Sequence, residues 1–313
     1  MNKLYSIGEL IIDFQSIGTS GLKDTNQFVK NAGGAPANVC VQATKFGQKA
    51  VYLSKVGNDG FGDFLIETLK NEGIDTTYVS KSNNHDTSLA FVSFKEEGER
   101  EFSFYRRCAA DLYFTKEDFS GVNFSKNDIL EFGTVALKTK EAQEAHNYLI
   151  EKAVNSNALI AFDPNLRFNL WDDLEDLKCV TRKYLKYSNI VKIGSDELEF
   201  ITGKNEEESV IELFGSDKLQ LLLVTYGSKG ASLYLRNGDV YKNTGYKVNA
   251  IDTTGAGDSF FGGFLALVLE HGLDSSKYQE MLDMACRCGA YTATGYGAIK
   301  AMGTKKEVME AIK

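Results

Sequence analysis

Proline is nearly missing from this sequence: Pro36 and Pro164 are the only two in 313 residues, where typical usage is roughly 5%. No linker, repeat or low-complexity tract interrupts the chain, so it reads as one main domain. Histidine is as scarce, and His85, His146 and His271 lie far apart. The five cysteines, Cys40, Cys108, Cys179, Cys286 and Cys288, are odd in number and scattered. Together these residues form no zinc-ligand spacing. The cysteines read instead as buried, reduced thiols of a cytoplasmic protein. Positive charge is not in excess either. A net charge of −8 argues against a broad nucleic-acid-binding face, although a few local donors can still bind an anion. Long apolar runs are lacking. The opening segment is broken by Gly8, Glu9 and Asp13, unlike a signal peptide. The run Phe260–Leu269 contains Gly262 and Gly263 and is too short for a bilayer. No membrane partner is expected.

What is present suits a globular enzyme. The chain is 43% hydrophobic, too apolar for disorder. Short β-rich runs at Leu4–Ile7, Ala50–Val56, Ile129–Phe132, Ala158–Phe162, Ile190–Ile193 and Gln220–Thr225 alternate with helical patterns. Those patterns lie near Pro36–Phe46, Phe61–Glu72, Glu141–Val154, Asp196–Thr202, Ser259–His271, Lys277–Thr294 and Lys305–Ile312. Strands separated by helices of this length predict parallel pairing in an α/β layer. Two segments break the rhythm. Gln15–Asn31 is polar and without a clear period. Ser88–Tyr105 reads as a hairpin, with Leu89–Phe94 and Glu101–Tyr105 as strands and a charged turn at Glu96–Glu99. Such an insertion needs its own cover, as a lid over a cleft or as a dimer edge.

The strongest chemical signal is Asp252-Thr253-Thr254-Gly255-Ala256-Gly257-Asp258-Ser259-Phe260-Phe261-Gly262-Gly263. Small residues opening an apolar helix leave free N–H groups and a positive dipole end for an anion. Alone, Asp258 would be an ordinary first-turn acid. Beside an anion hole, a carboxylate makes sense if the anion is a phosphoryl group in flight and Asp258 takes a proton from the attacking hydroxyl. The string is neither a P-loop nor a dinucleotide fingerprint. A second signal is Asn31-Ala32-Gly33-Gly34-Ala35-Pro36-Ala37-Asn38-Val39-Cys40. Pro36 suits a first helical turn, and Asn38 would project a donor and an acceptor toward sugar hydroxyls.

Together the two strings resemble the signature regions of the ribokinase-like (PfkB) carbohydrate kinases. The likeness spans essentially the whole chain. It includes Gly8-Glu9 with Asp13, Gly57-Asn58-Asp59-Gly60-Phe61-Gly62, Val224-Thr225-Tyr226-Gly227-Ser228-Lys229-Gly230, and Gly295-Tyr296-Gly297-Ala298. The fold it implies is a three-layer α/β/α sandwich with a small β-sheet lid, the lid formed by about residues 14–31 and 86–113. The implied roles follow by position. Asp258 would be the base, and the amides of Gly255, Ala256 and Gly257 the anion hole. Asp13, Gly33, Gly34 and Asn38 would hold the sugar. Thr225, Gly227 and Gly230 would line the ATP site, with Lys192 and Glu197 beside its phosphates. Mg²⁺ would accompany ATP near Glu197, through water, and K⁺ would lie near Asp252 and Thr254. The family also implies a homodimer. One departure stands out: in Lys192-Ile193-Gly194-Ser195-Asp196-Glu197, Gly194 replaces the asparagine of the family's N-x-x-E motif.

Three features bear on the sugar. The Gly33–Asn38 string with Pro36 is the fructokinase-like form. Asp163-Pro164-Asn165-Leu166-Arg167 followed by Leu170-Trp171 resembles the fructokinase D-P-N-L-R…L-W string. Tyr105-Arg106 followed by Ala110-Asp111 looks like the lid's end, where an arginine reaches the sugar. Asn165 sits where α/β ligands bind, at a strand's end, and Arg167 could clamp a phosphate or a substrate oxygen. Trp171 reads as packing. Fructose is the expected substrate. Two alternatives stay open: 2-keto-3-deoxygluconate, whose carboxylate would want Arg106 or Arg167, and an inactive sugar-sensing regulator.

Overall fold

The computed structural model describes residues 2–18, 20–94 and 100–313; the Glu96–Glu99 turn lies outside them. The strands are β1 (Lys3–Ile7), β2 (Ile11–Ser16), β3 (Phe28–Gly33), β4 (Lys49–Gly57), β5 (Asp75–Ser82), β6 (Ser88–Phe94), β7 (Arg100–Tyr105), β8 (Ile129–Phe132), β9 (Leu159–Phe162), β10 (Ile190–Gly194), β11 (Leu221–Thr225), β12 (Ala231–Leu235) and β13 (Val240–Asn243). The helices are α1 (Gly21–Asp24), α2 (Ala35–Lys45), α3 (Gly60–Asn71), α4 (Lys140–Asn155), α5 (Leu174–Leu185), α6 (Ser195–Thr202), α7 (Glu206–Phe214), α8 (Ala256–His271), α9 (Tyr278–Thr292) and α10 (Lys305–Ala311).

Successive side chains of a strand point to opposite faces, and here both faces are apolar. On β4, Ala50 and Tyr52 enter one core while Val51 and Leu53 enter another. On β11, Leu221 and Leu223 divide from Leu222 and Val224 in the same way. Such doubly buried strands are the mark of a sheet covered on both sides. One core packs Val39, Leu65, Phe264 and Met281 from α2, α3, α8 and α9. The other packs Leu149, Leu177 and Leu198 from α4, α5 and α6. Each fully buried leucine or phenylalanine contributes about 1.5–3 kcal/mol of transfer free energy. The three-layer expectation holds. The nine-stranded sheet runs β13-β12-β11-β10-β9-β8-β1-β4-β5. Pairing is parallel from β11 to β5, and β12 and β13 join antiparallel.

Strand order reverses at β1. The chain goes first to β4 and β5 on one side, then returns to β8 on the other. Ligands of open α/β sheets bind at such a switch point, beyond the strands' C-terminal ends. A second sheet, β3-β2-β6-β7, lies over that edge. The segment Gln15–Asn31, expected to be polar and without a clear period, thus takes in the end of β2, the short α1 and most of β3. Its polarity has a reason: Asp13, Gln15 and Asn31 share the face that looks into the cleft. The outer face is aromatic, with Phe14 stacked on Phe91 at 4.9 Å between centroids.

Helix α8 is apolar nearly all round and sits between α2 and α9, with Ser259 through Val268 buried. Gly262 lets α2 come close: a Cβ there would lie 2.5 Å from the Val39 carbonyl. Ser259 then donates to Gln42 at 3.0 Å. This clamp fixes the two motif-bearing helices relative to each other. All five cysteines are free, but the buried-thiol expectation fails for two. Cys108 and Cys179 are exposed; Cys179 lies on α5 opposite the buried face of Leu177, Thr181, Tyr184 and Leu185. Among the described residues no helix is long and apolar enough to cross a membrane.

Candidate active site

A cavity of about 790 Å³ opens between the sheet edge and the small sheet. Its floor carries Glu9 after β1, Val135 after β8, Asn165 and Arg167 after β9, and Lys192 on β10. Its roof is the inner face of the small sheet, where Asp13 pairs in register with Ala90 and Ala90 with Phe104. Its far wall is the start of α8 and the loop at Gly297 and Ala298.

Asp258 lies in the first turn of α8 and faces this cavity. Asn38, on α2, donates from Nδ2 to Asp258 Oδ2 at 2.8 Å. The Asn38 Oδ1 is buried without a partner among the described residues, an acceptor held ready for a donor from outside. Withdrawal from water raises the Asp258 pKa above the ordinary carboxylate range, while the Asn38 bond and the charges of Lys192 and Arg167 restrain it. Gly255 caps α8 at φ 76°, a left-handed conformation that costs a side chain dearly. The Ala256 amide turns back to the Thr253 carbonyl at 3.3 Å, and Ala256 does not line the cavity. Gly257 does, and it is exposed.

Lys192 is buried, yet its ammonium reaches this turn. A Cβ on Gly257 would stand 3.2 Å from Lys192 Nζ. The same ammonium is 2.8 Å from Asp163 Oδ2. Burial works against the lysine's charge, but Asp163, Glu197 and Asp258 more than compensate and its pKa rises. Burial lifts Asp163 to about 6 despite the opposing Lys192 charge, and its Oδ1 has no partner among the described residues.

Two further acids line the cavity. Asp13 is lifted to about 7 by burial and by the Asp258 and Asp252 charges, against the pull of Arg167. Gly33 makes room for it, since a Cβ there would collide with the Asp13 carboxylate; Gly33 itself is not in the lining. Glu9 is lifted to about 7 by burial, against Arg106 and amide bonds that include one from Ala35 at 3.1 Å. Glu9 stands in a quoted motif, but periodicity gave no sign that it would enter the cavity. Arg106 is buried and largely spoken for. Its Nε and Nη2 donate to Asp111 Oδ2 at 2.9 and 2.7 Å, and Nη1 donates to the Val135 carbonyl at 2.9 Å.

Glu197 lines the cavity while capping α6. Its Oε2 accepts the Gly194 amide at 2.8 Å and its Oε1 the Leu166 amide at 2.6 Å. A carboxylate oxygen has more than one lone pair, so Glu197 keeps capacity for a water held by Mg²⁺, an ion that usually retains several waters. Asp252 is buried and ties two loops together, accepting from Thr254 N and Oγ1 and from Gly297 N. Thr225, Gly227 and Gly230 lie outside the cavity lining. They follow β11, where Thr225 pairs in register with Gly194. Roof residues Ile11, Gln15, Val92, Phe102 and Phe104 escaped the sequence reading; their signal was the period-2 alternation across the hairpin.

Comparison with known proteins agrees in extent. A family model described as pfkB family carbohydrate kinase matches residues 1–305. The chain is 36% identical to fructokinase-2 of Solanum lycopersicum over 318 residues, covering 99% of this chain and 96% of that protein. A double-mutant fructokinase from Vibrio cholerae O395, solved with fructose, ADP and potassium ion, superposes with a TM-score of 0.90 at 28% identity. That match covers 100% of this chain and 99% of the other. Fructokinase from Xylella fastidiosa with bound ATP gives 0.88 at 28% identity, over 98% and 97%.

Proposed function

The chain belongs to the pfkB family of carbohydrate kinases, and from that premise we propose that it phosphorylates fructose with ATP to give fructose 6-phosphate. The observation that carries this reading is Asp258, held by Asn38 at 2.8 Å at the opening of α8 and facing the cavity. Its neighbour Gly257 abuts the Lys192 ammonium. A base and an anion site thus meet at one point. The fructose- and ADP-bound relative superposes on the whole chain, which supports the same substrate pair.

The sugar lies under the small sheet, with Asp13, Gly34, Asn38, Asn165 and Arg167 around it. Arg106 is committed to Asp111 and Val135, so a substrate carboxylate would fall to Arg167, which also lines the cavity; it is the fructose-bound relative that favours the neutral sugar. The small sheet acts as a lid and excludes water that would otherwise accept the phosphoryl group. Asp258 takes the proton of the sugar hydroxyl, whose oxygen attacks the γ-phosphorus in line. The bond to the bridging oxygen breaks and ADP leaves. The α8 amides and Lys192 hold the charge that builds on the phosphoryl oxygens. Thr225, Gly227 and Gly230 take the nucleotide beyond the cavity. Glu197 would hold Mg²⁺ through water, and the ion would neutralise charge at the phosphates. A monovalent cation belongs near Asp252 and Thr254, where a buried carboxylate joins the two loops. Free thiols throughout support a cytoplasmic setting. A homodimer through the small sheet is part of this reading, with the exposed Tyr105 on the side away from the cavity; light scattering that shows only monomer would remove it.

The direct test is ADP release with ATP and Mg²⁺ across fructose, 2-keto-3-deoxygluconate, ribose, glucose and adenosine. Selective turnover of fructose is expected. Preference for the keto-acid would replace the substrate, and silence with every sugar would favour a non-catalytic sensor.

A further inference from the structure

Lys192 is an odd group to bury, because an ammonium in a low-dielectric site tends to lose its proton. Its charge is useful here only if it stays on and points at the anion. The charged groups around it are Asp163 beyond β9, Glu197 on α6 and Asp258 on α8. Of these, only Asp163 touches it within ion-pairing distance, at 2.8 Å. An ammonium has three donors, and this bond uses one. The direction of that bond leaves Nζ beside Gly257.

We propose that Asp163 is a positioning residue for phosphoryl transfer: its carboxylate fixes the Lys192 ammonium against Gly257, so that the two remaining donors meet the phosphoryl oxygens at the start of α8. The assignment rests on the kinase reading of this site, and it adds a role for an acid that touches no substrate. Geometry enforces it. Asp163 follows β9 at a strand end, its amide donates to the Phe132 carbonyl at 3.1 Å, its backbone carbonyl lies close against Gly133, and its side chain is buried with Lys192, so the backbone that carries the carboxylate is fixed.

The test compares Asp163→Asn, Lys192→Arg and the double variant by kcat/KM against pH. Asparagine keeps a hydrogen-bond acceptor but removes the charge. Lys192 then loses its main support, its pKa falls, and its charge disappears as pH rises. Asp163→Asn should therefore gain a basic limb, a roughly tenfold or larger loss at high pH, where the native enzyme is flat. In the double variant that limb should vanish, because arginine stays charged. A purely structural role would lower activity equally at every pH. A profile parallel to the native one, or a limb that survives in the double variant, overturns the proposal. NMR titration of the Lys192 ammonium without sugar or nucleotide gives a readout independent of turnover. An unchanged titration in Asp163→Asn overturns the pairing even if the kinase reading holds, and a lowered one upholds it even if no sugar is turned over. If Asp163→Asn does not fold, Asp163→Glu keeps the charge and displaces the ammonium. It should lower kcat with no new limb, and an unchanged kcat overturns the positioning.

Discussion

Where the sugar is proposed to lie, the buried Glu9 and the half-buried Asp13 are acids that approach neutrality, both lifted to about 7. At the phosphoryl end, Asp163 and Asp258 share the ground with a charged lysine. Burial raises the acids at both ends; what differs is the partner. Lys192 sits in ion-pair contact with Asp163, whereas Asp13 has Arg167 only as a facing charge. The sugar end therefore waits for hydroxyls, which can donate to or accept from an acid in either state. The phosphoryl end is organised around fixed charge, as electrostatic catalysis requires.

The largest expected effect breaks the phosphoryl end. Asp258→Asn should cost turnover about 10²–10⁴-fold, while fructose binding by calorimetry persists. Next comes the strut between the motifs. Asn38→Ala removes a hydrogen bond to a charged group, worth about 1.5–3 kcal/mol, and should lower kcat/KM by roughly one to two orders of magnitude. It should also move the acid limb of the pH profile upward. The base must be unprotonated to act, so turnover rises with pH through its pKa; the Asn38 bond lowers that pKa, and losing the bond raises it.

At the sugar end the expected effect is on stability. The native protein holds the Asp13 proton more tightly than the unfolded chain, from the ordinary carboxylate range up to about pH 7. That stabilisation is present at low pH and is lost as pH rises through this window. Asp13→Asn avoids the loss. It should be more stable than the native protein at pH 8, on the order of 1–2 kcal/mol, with the gap closing below pH 4 in thermal melts. Fructose affinity should fall at the same time. The smallest effect sharpens the comparison from outside. Gly194→Asn would place its Cβ 3.2 Å from Glu197 Oε2, while adding a favourable helix cap of a few tenths of a kcal/mol. Turnover should change less than about threefold, because the Glu197 bonds to the Gly194 and Leu166 amides do not need a side chain at 194. A large gain would mean that the missing asparagine matters to metal binding.

Much of this was legible in the sequence where pattern and chemistry coincide. The main strands and helices are legible to within a few residues, because doubly buried strands read as short continuous apolar runs and amphipathic helices carry a 3.6-residue period. Asp258 is marked by small residues opening a helix and Asn38 by the Gly33–Pro36 turn, whereas Lys192 rests on the family resemblance alone. β2 and β3, at the two ends of the polar stretch Gln15–Asn31, carry no strand signal, since their alternation serves a cleft rather than a core. β5 and β13 are the two edge strands of the large sheet, half-exposed and without an apolar run. The Asp163–Lys192 contact joins residues 29 apart in sequence, and no local rule can pair them. Ala256 stands apart: its place in the motif suggests an anion donor, while its amide bonds the Thr253 carbonyl at 3.3 Å.

The central claim is that Asp258 is the base of an ATP-dependent fructose kinase. The measurement that tests it most directly is fructose-dependent ADP release by the native protein and by Asp258→Asn, with fructose binding followed in both. The account predicts turnover in the first, near-total loss in the second, and binding in both. Near-native turnover by Asp258→Asn, or a native protein that binds fructose but never releases ADP, would contradict it.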